Sequence, residues 1–207
     1  MINIAIVPIV TGDIESLVMC KILNNERQDQ YPVFLNYGQL AGDEEWARWK
    51  KIFNDLNICE PDKLDLSCFV KFVGSRITED CKASYIKAFI PGRNLVSLAV
   101  ASSYAYQKGI KNIAIGLLRE KDYLYQNQTE DFIVNANFAI NSALGDYISI
   151  MTPLINLSRD EVMKIARWYN LPINETYQCQ PGDYSYCEKC LSQMEVTPSF
   201  ELSMDSI

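Results

Sequence analysis

The sequence contains no histidine, and this absence excludes several kinds of chemistry. Without an imidazole, the chain has neither a histidine general base nor a histidine metal ligand. Basic residues are also outnumbered, because 19 Lys and Arg face 26 Asp and Glu, which gives a net charge of −7. Nucleic acid and anionic membranes do not attract such a chain nonspecifically, so we expect neither as a direct partner.

Long hydrophobic runs are missing as well. No apolar segment approaches the roughly 18 residues needed to cross a bilayer. The first residues lack the basic start of a signal peptide, so we expect a cytoplasmic protein. Seven cysteines are an odd number, which argues against a disulfide framework. The 48% of hydrophobic and 22% of charged residues are instead typical of a globular domain.

Strand and helix patterns alternate along the chain. Apolar runs predict five buried strands, at residues 3–9, 32–37, 63–66, 112–117 and 148–151. Helical spacing predicts helices at residues 14–23, 44–56 and 129–143, another after the capping box Ser158–Glu161, and one with a buried stripe of Leu95, Leu98, Ala99, Ser102 and Tyr106. The alternation predicts an α/β fold, a doubly wound and mostly parallel five-stranded sheet with helices on both faces.

The first loop after a predicted strand, Thr11–Ser16, is a candidate phosphate site. In doubly wound sheets, ligands bind beyond the carboxyl ends of the strands. A strand-to-helix turn there directs backbone N–H groups and the positive end of the helix dipole at an anion. The hexapeptide is equally typical of an ordinary turn capped by Thr11 or Asp13. By itself, the pattern leaves both interpretations open.

Four features of the chain match motifs of one enzyme family. Thr11–Ser16 resembles the pyrophosphate loop Ser-Gly-Gly-x-Asp-Ser of the ATP pyrophosphatases. Residues 34–39 resemble Phe-Asp-Tyr-Gly-Gln, and residues 89–94 closely resemble Phe-Val-Pro-Gly-Arg-Asn. The fourth feature is the pair of segments at 152–154 and 174–176. Together they resemble the 7-cyano-7-deazaguanine synthase family, and the resemblance runs from about Ile4 to Cys190, which is most of the chain.

The resemblance implies an ATP-dependent, ligase-like enzyme that uses magnesium, with a structural zinc ion and a homodimer. Such an enzyme activates the carboxylate of a 7-deazapurine acid for attack by ammonia or another amine. A related hypothesis is a specialised member, from a defence or biosynthetic gene cluster, that uses a protein as the acceptor. We predict a nucleotide-binding domain over residues 1–177, a cysteine knuckle at 178–194 and a tail at 195–207.

The resemblance also assigns roles to individual residues. Arg93 and Glu15 are the predicted catalytic residues. The predicted ATP-binding residues are Thr11, Gly12, Asp13, Ile14, Glu15, Ser16, Tyr37, Gln39 and Gly116. The predicted substrate-binding residues are Arg93, Asn94, Glu120 and Asn127.

Three positions in the candidate loops depart from the family pattern. Asp13 stands in place of the second glycine, where its carboxylate, about 4 Å from a phosphate, would be repelled by roughly 4 kcal/mol at an effective dielectric near 20. A bridging magnesium ion, or an Asp13 side chain turned away, would relieve that repulsion, and aspartate tolerates a positive φ. Asn127 replaces a carboxylate and Thr129 replaces an arginine, so we expect an altered substrate or none. The alternative function is a non-catalytic paralogue that acts as a binding or scaffold subunit.

Three clustered cysteines, Cys179, Cys187 and Cys190, are the predicted metal ligands. Their spacing resembles that of the family's zinc site, but Gln193 stands where the fourth cysteine is expected. Structural zinc takes four ligands, and glutamine is a poor one. Two interpretations stay open: zinc held by three thiolates and a further ligand, or reduced thiols packed in the knuckle.

Overall fold

A computed structural model describes residues 4–39, 42–73, 90–119 and 126–176. The strands in these ranges are β1 (Ala5–Val10), β2 (Asp29–Gln30), β3 (Val33–Asn36), β4 (Asp62–Asp65), β5 (Asn112–Ala114) and β6 (Ser149–Met151). The helices are α1 (Ile14–Asn25), α2 (Gly42–Asp55), α3 (Ser67–Val73), α4 (Arg93–Gln107), α5 (Glu130–Leu144) and α6 (Arg159–Trp168). The described helices include none that is long and apolar enough to span a membrane.

The strands form a single parallel sheet in the order β4-β3-β1-β5-β6, and β2 also pairs with β1. The predicted parallel α/β sheet is therefore confirmed. The predicted strand count is wrong, because there are six strands in the described residues rather than five. The additional strand, β2, has two residues and no apolar run, so hydrophobic patterning does not reveal it.

Helices cover both faces of the sheet because residues of β1 alternate in direction. Ile6 and Val10 pack with α1, α2 and α6 in one buried cluster. Val7 and Ile9 pack with α4 and α5 in a second cluster on the other face. A strand apolar on both sides needs two helical layers, which is why residues 4–10 form a continuous hydrophobic run.

The predicted buried stripe of α4 is mostly wrong. Leu98 and Ser102 are buried as expected, but Leu95 and Tyr106 are 43% and 47% exposed, and Ala99 is exposed as well. The buried side also includes Ala101 and Ala105. Small apolar residues stand on several sides of this helix, so its periodicity does not single out one face.

The capping box before α6 is present as predicted. The Ser158 side chain accepts a hydrogen bond from the Glu161 N–H, and the Glu161 carboxylate accepts one from the Ser158 N–H. Each residue thereby satisfies a backbone or side-chain donor at the helix start. The cap fixes the direction in which α6 leaves the sheet and places Arg159, its first residue, beside α1.

β1 lies at the point where the strand order reverses. The chain runs from β1 to β3 and β4 on one side and returns to β5 and β6 on the other. The loops that follow β1, β3 and β5 therefore meet at one edge of the sheet, the usual ligand crevice of open α/β sheets.

Candidate functional site

The loop after β1 is held by its own polar side chains. The backbone N–H of Thr11 donates to Ser16 Oγ at 3.1 Å, and the hydroxyls of Thr11 and Ser16 are 3.0 Å apart. Thr11 Oγ1 also donates to Asp13 Oδ2 at 2.5 Å. Asp13 Oδ1 accepts from the Ser16 N–H at 2.9 Å, so Asp13 is the N-cap of α1.

Asp13 has an extended backbone, with φ −93° and ψ 166°. The φ is negative, so the tolerance of aspartate for a positive φ is not used at this position. The carboxylate folds back onto the helix start and accepts from one of the N–H groups that an α-helix leaves without an internal partner. An arriving anion would compete with this carboxylate for the same end of the helix.

The buried carboxylate of Glu15 is paired with Arg159. Glu15 is 6% exposed, and its Oε1 lies 2.9 Å from Nη1 of Arg159 at the start of α6. This pairing offsets much of the cost of burying a charge. Gly116, which follows β5, passes directly beneath Glu15: a Cβ there would lie 3.3 Å from the Glu15 carbonyl carbon. Gly116 and Arg159, from two other segments of the chain, therefore both lie against the Thr11–Ser16 loop.

The turn after β3 contains a half-buried tyrosine, Tyr37, and a buried glutamine, Gln39. Gln39 Oε1 accepts from the Tyr37 N–H at 3.0 Å, and the carbonyl of Gln39 accepts from the Gly42 N–H that begins α2. The guanidinium of Arg93 lies 5.6 Å from the centre of the Tyr37 ring. Burial raises the pKa of Tyr37, and the nearby Arg93 charge opposes that shift. The phenol therefore stays neutral and gives Arg93 a flat aromatic face.

Glu45 is a site residue that sequence reasoning missed. A methyl group on Gly12 would lie 2.8 Å from Glu45 Cγ, so this side chain packs directly on the Thr11–Ser16 loop. Gln39 Nε2 donates to Glu45 Oε2 at 3.0 Å. Burial raises the pKa of Glu45 to about 7, although the Gln39 hydrogen bond opposes the shift. In the sequence, Glu45 ends an acidic run at a helix start, which ordinarily indicates a solvated first turn.

Asn94 and Asn127 are joined across the fold. Asn94, 8% exposed, donates from Nδ2 to the backbone carbonyl of Asn127 at 2.8 Å. Asn127 Oδ1 is buried and has no donor in the part of the chain that the structure describes. Thr129 is the N-cap of α5 and accepts from the Phe132 N–H at 3.1 Å. A capping role explains a threonine at this position independently of any substrate.

The remaining predicted residues, Glu120, Cys179, Cys187 and Cys190, lie outside the described residues, as do the knuckle and the tail. Within the described ranges there is no group of three or more acidic or cysteine side chains able to hold a metal ion. The Thr11–Ser16 loop contains backbone N–H groups and hydroxyls of the kind that bind phosphate. It does not by itself form a metal site.

Comparison with known proteins identifies relatives along almost the whole chain. The family model described as queuosine biosynthesis protein QueC matches residues 5–203. The 7-cyano-7-deazaguanine synthase of Nautilia profundicola is 28% identical over 194 residues, which cover 89% of this chain and 87% of that protein. The same enzyme of Methanobrevibacter smithii is 24% identical over 213 residues, which cover 95% and 93%.

Two solved structures share the fold at low sequence identity. A U34-tRNA thiolase from Methanococcus maripaludis has a TM-score of 0.53 at 16% identity and covers 100% of this chain and 74% of its own. An NMN synthetase from Francisella tularensis has a TM-score of 0.51 at 12% identity and covers 98% and 78%. These values show a common architecture and nothing about substrates. The family match over residues 5–203, on this fold, shows that the chain belongs to the QueC family.

Proposed function

We propose that this protein is an ATP-dependent enzyme that activates the carboxylate of a 7-deazapurine acid for attack by an amine. The observation that carries the proposal is the meeting of the Thr11–Ser16 loop, Gly116 and the Tyr37–Arg93 pair at the carboxyl edge of the sheet. Family membership supports the use of ATP, because the relatives are named 7-cyano-7-deazaguanine synthases.

The phosphate end of ATP would bind at the start of α1. Gly12 brings the backbone close to the ligand, and the helix dipole favours negative charge there. Ser16, 3% exposed, is held by Thr11 and offers a hydroxyl at the same place. Arg159 keeps Glu15 neutralised, so that this carboxylate adds little repulsion to the incoming phosphates.

The acid would bind near the start of α4. Arg93 begins this helix, and its planar guanidinium suits a carboxylate or a phosphate. The orphaned Asn127 Oδ1 suits a donor, such as the N–H edge of a guanine-like base. With an amide oxygen in place of a carboxylate, the free energy of that hydrogen bond is weaker by roughly 1.5–3 kcal/mol at most. This change weakens recognition of the base without removing it.

The proposed reaction forms the amide in two steps. A carboxylate oxygen attacks the α-phosphorus of ATP, the bond to the β-phosphate oxygen breaks, and pyrophosphate leaves. The amine then attacks the acyl carbon, AMP leaves with the former carboxylate oxygen, and the amine loses a proton to form an amide. The chain's residues position the reactants and stabilise negative charge, which requires no histidine. With ammonia, the amide oxygen would attack the α-phosphorus of a second ATP and pyrophosphate would leave. AMP would then leave with that oxygen, and the nitrogen would lose its two protons to give a nitrile. With a protein amine, the amide would be the final product.

A pyrophosphate release assay tests the proposal. The protein is incubated with ATP, magnesium and 7-carboxy-7-deazaguanine, with and without ammonia. We expect acid-dependent pyrophosphate in wild type and at least about a hundredfold less in Arg93→Ala. The control is Arg48→Ala, which removes an exposed arginine of α2. Nucleotide binding without acid-dependent pyrophosphate would instead favour the non-catalytic paralogue.

Zinc and a homodimer are further parts of the proposal. Both rest on family resemblance, with Cys179, Cys187 and Cys190 as the zinc ligands. A structural zinc ion would couple to the folding of residues 178–194, because thiolates lose their protons when they bind the metal.

A further inference from the structure

The Glu45 side chain links two loops of the candidate site. On one side, its Cγ and Cδ lie against Gly12, where an added Cβ would meet them at 2.8 and 2.9 Å. On the other side, its Oε2 accepts the hydrogen bond from Gln39 Nε2 at 3.0 Å.

The contact with Gln39 extends to the backbone of that turn. Gln39 uses its oxygen for the Tyr37 N–H, at 3.0 Å, and its nitrogen also lies 3.4 Å from the Leu35 carbonyl. Tyr37 in turn lies under the Arg93 guanidinium. Glu45 is therefore connected to Arg93 through two residues whose positions its hydrogen bond helps to fix.

Three other ionisable groups influence the pKa of Glu45. Asp13 of the Thr11–Ser16 loop and Glu44 of its own helix are acidic, and Arg93 of α4 is basic. Tyr37, which follows β3, stays neutral. The negative neighbours favour the protonated form of Glu45, and Arg93 favours the charged form. A bound polyphosphate would add further negative charge on the Gly12 side.

From this geometry we propose that Glu45 is a positioning residue of the nucleotide site. It holds the turn after β3 against Gly12, and its charge sets the affinity of the loop for polyphosphate. This inference rests on the proposed function, because it assumes that the loop binds the phosphates of ATP. It assigns to this chain an acidic residue that tunes binding at a loop with no basic residue of its own.

The direction in which pH changes the nucleotide affinity follows from the raised pKa of Glu45, about 7. Below that pH the carboxyl is neutral and does not repel phosphate. Above it the carboxylate is charged and weakens binding. By linkage, bound nucleotide must raise the pKa of Glu45 further, since the same repulsion acts in both directions.

Titration of wild type and Glu45→Gln with magnesium-ATP tests the inference. The substitution keeps the shape and an acceptor for Gln39 but cannot be charged. We expect nearly equal affinities at about pH 6 and, at about pH 8.5, about tenfold tighter binding by Glu45→Gln. The protonation of ATP itself changes with pH in the same way for both proteins, so it cancels in the ratio of their affinities. The control Asp43→Asn removes an exposed carboxylate of the same helix and should follow wild type at both pH values.

A second measurement needs no variant. The side-chain carboxyl carbon of Glu45 in wild type, followed by NMR, should titrate at higher pH with magnesium-ATP than without it. The same ratio of Glu45→Gln to wild-type affinity at both pH values, or an unchanged Glu45 titration with ATP bound, would overturn this inference. Either result would leave the proposed function standing. Absence of ATP binding in every protein tested would overturn the proposed function and this inference together.

Discussion

Arg159 reaches from the first turn of α6 to the carboxylate of Glu15 in α1, with 2.9 Å between Nη1 and Oε1. The two side chains are 23% and 8% exposed, so the pair lies mostly away from water. Buried pairs are costly to break from one side, because the remaining charge has no partner of opposite sign at that position. The pair therefore couples α6 to the Thr11–Ser16 loop.

Replacing Arg159 by methionine should destabilise the protein by about 3 kcal/mol, because it removes the cationic partner of buried Glu15. The control Arg159→Lys retains a positive charge, so its free energy of unfolding should fall by less. Urea unfolding of the three proteins measures the difference. A loss of under about 0.5 kcal/mol in Arg159→Met would show that the Glu15 carboxyl tolerates burial without this arginine.

Replacing Asp13 by glycine should strengthen pyrophosphate and ATP binding several-fold, because the Ser16 N–H is released and a nearby negative charge is removed. The folded state should lose only a few tenths of a kcal/mol, since glycine is itself an acceptable N-cap residue. Calorimetric titration measures the affinities. The control Asp13→Asn removes the charge but keeps a capping oxygen, so it separates repulsion from competition for the helix end. Equal affinities in all three proteins would mean that phosphate binds elsewhere.

Replacing Gly116 by alanine should weaken ATP binding and cost about 1–3 kcal/mol of stability, because the added Cβ would lie 3.3 Å from the Glu15 backbone. Thermal unfolding and ATP titration test both effects. Gly109→Ala is the matched control: its φ of +70° makes it strained, but a Cβ there meets nothing within 4 Å. That control should lose stability without losing nucleotide affinity. Full ATP affinity in Gly116→Ala would place the ligand away from this contact.

Replacing Glu161 by glutamine should change the pH dependence of stability. The hydrogen bond from the Ser158 backbone N–H lowers the pKa of Glu161, and the hydrogen bond from the Ser158 hydroxyl lowers it further by a smaller amount. The stabilisation is therefore present above the unfolded pKa of roughly 4.3 and is lost as the pH falls through the lower folded pKa. Denaturant unfolding at several pH values should show wild type and Glu161→Gln converging in acid. Asp160→Asn, an exposed change in the same turn, should not reproduce this convergence.

Elemental analysis of protein purified without chelator should find one zinc ion per chain if the three-cysteine site forms. Cys190→Ser should lose that zinc, because three thiolates are already one ligand short of a closed site. Cys59→Ser, at an exposed cysteine of the described region, should keep it. Absence of zinc from wild type would favour the packed-thiol interpretation.

Local patterns predict the elements of this fold better than the contacts of its site. Apolar runs and the Ser158 capping box indicate most strands and α6, because each depends on neighbouring residues. The inward position of Glu45 depends instead on where the Gln39 turn begins α2 and on Gly12 in the loop after β1. The Asn94–Asn127 hydrogen bond likewise joins residues 33 positions apart. Neither follows from spacing along a single segment.

The hydrogen bonds among Thr11, Asp13 and Ser16 all close within six consecutive residues. The loop therefore reaches its folded shape without help from a ligand, and most of its conformational entropy is already lost in the free protein. A preorganised loop of this kind pays little for ordering when a ligand arrives. Association with polyphosphate should accordingly be a single fast phase, since only the Asp13 carboxylate has to yield its position.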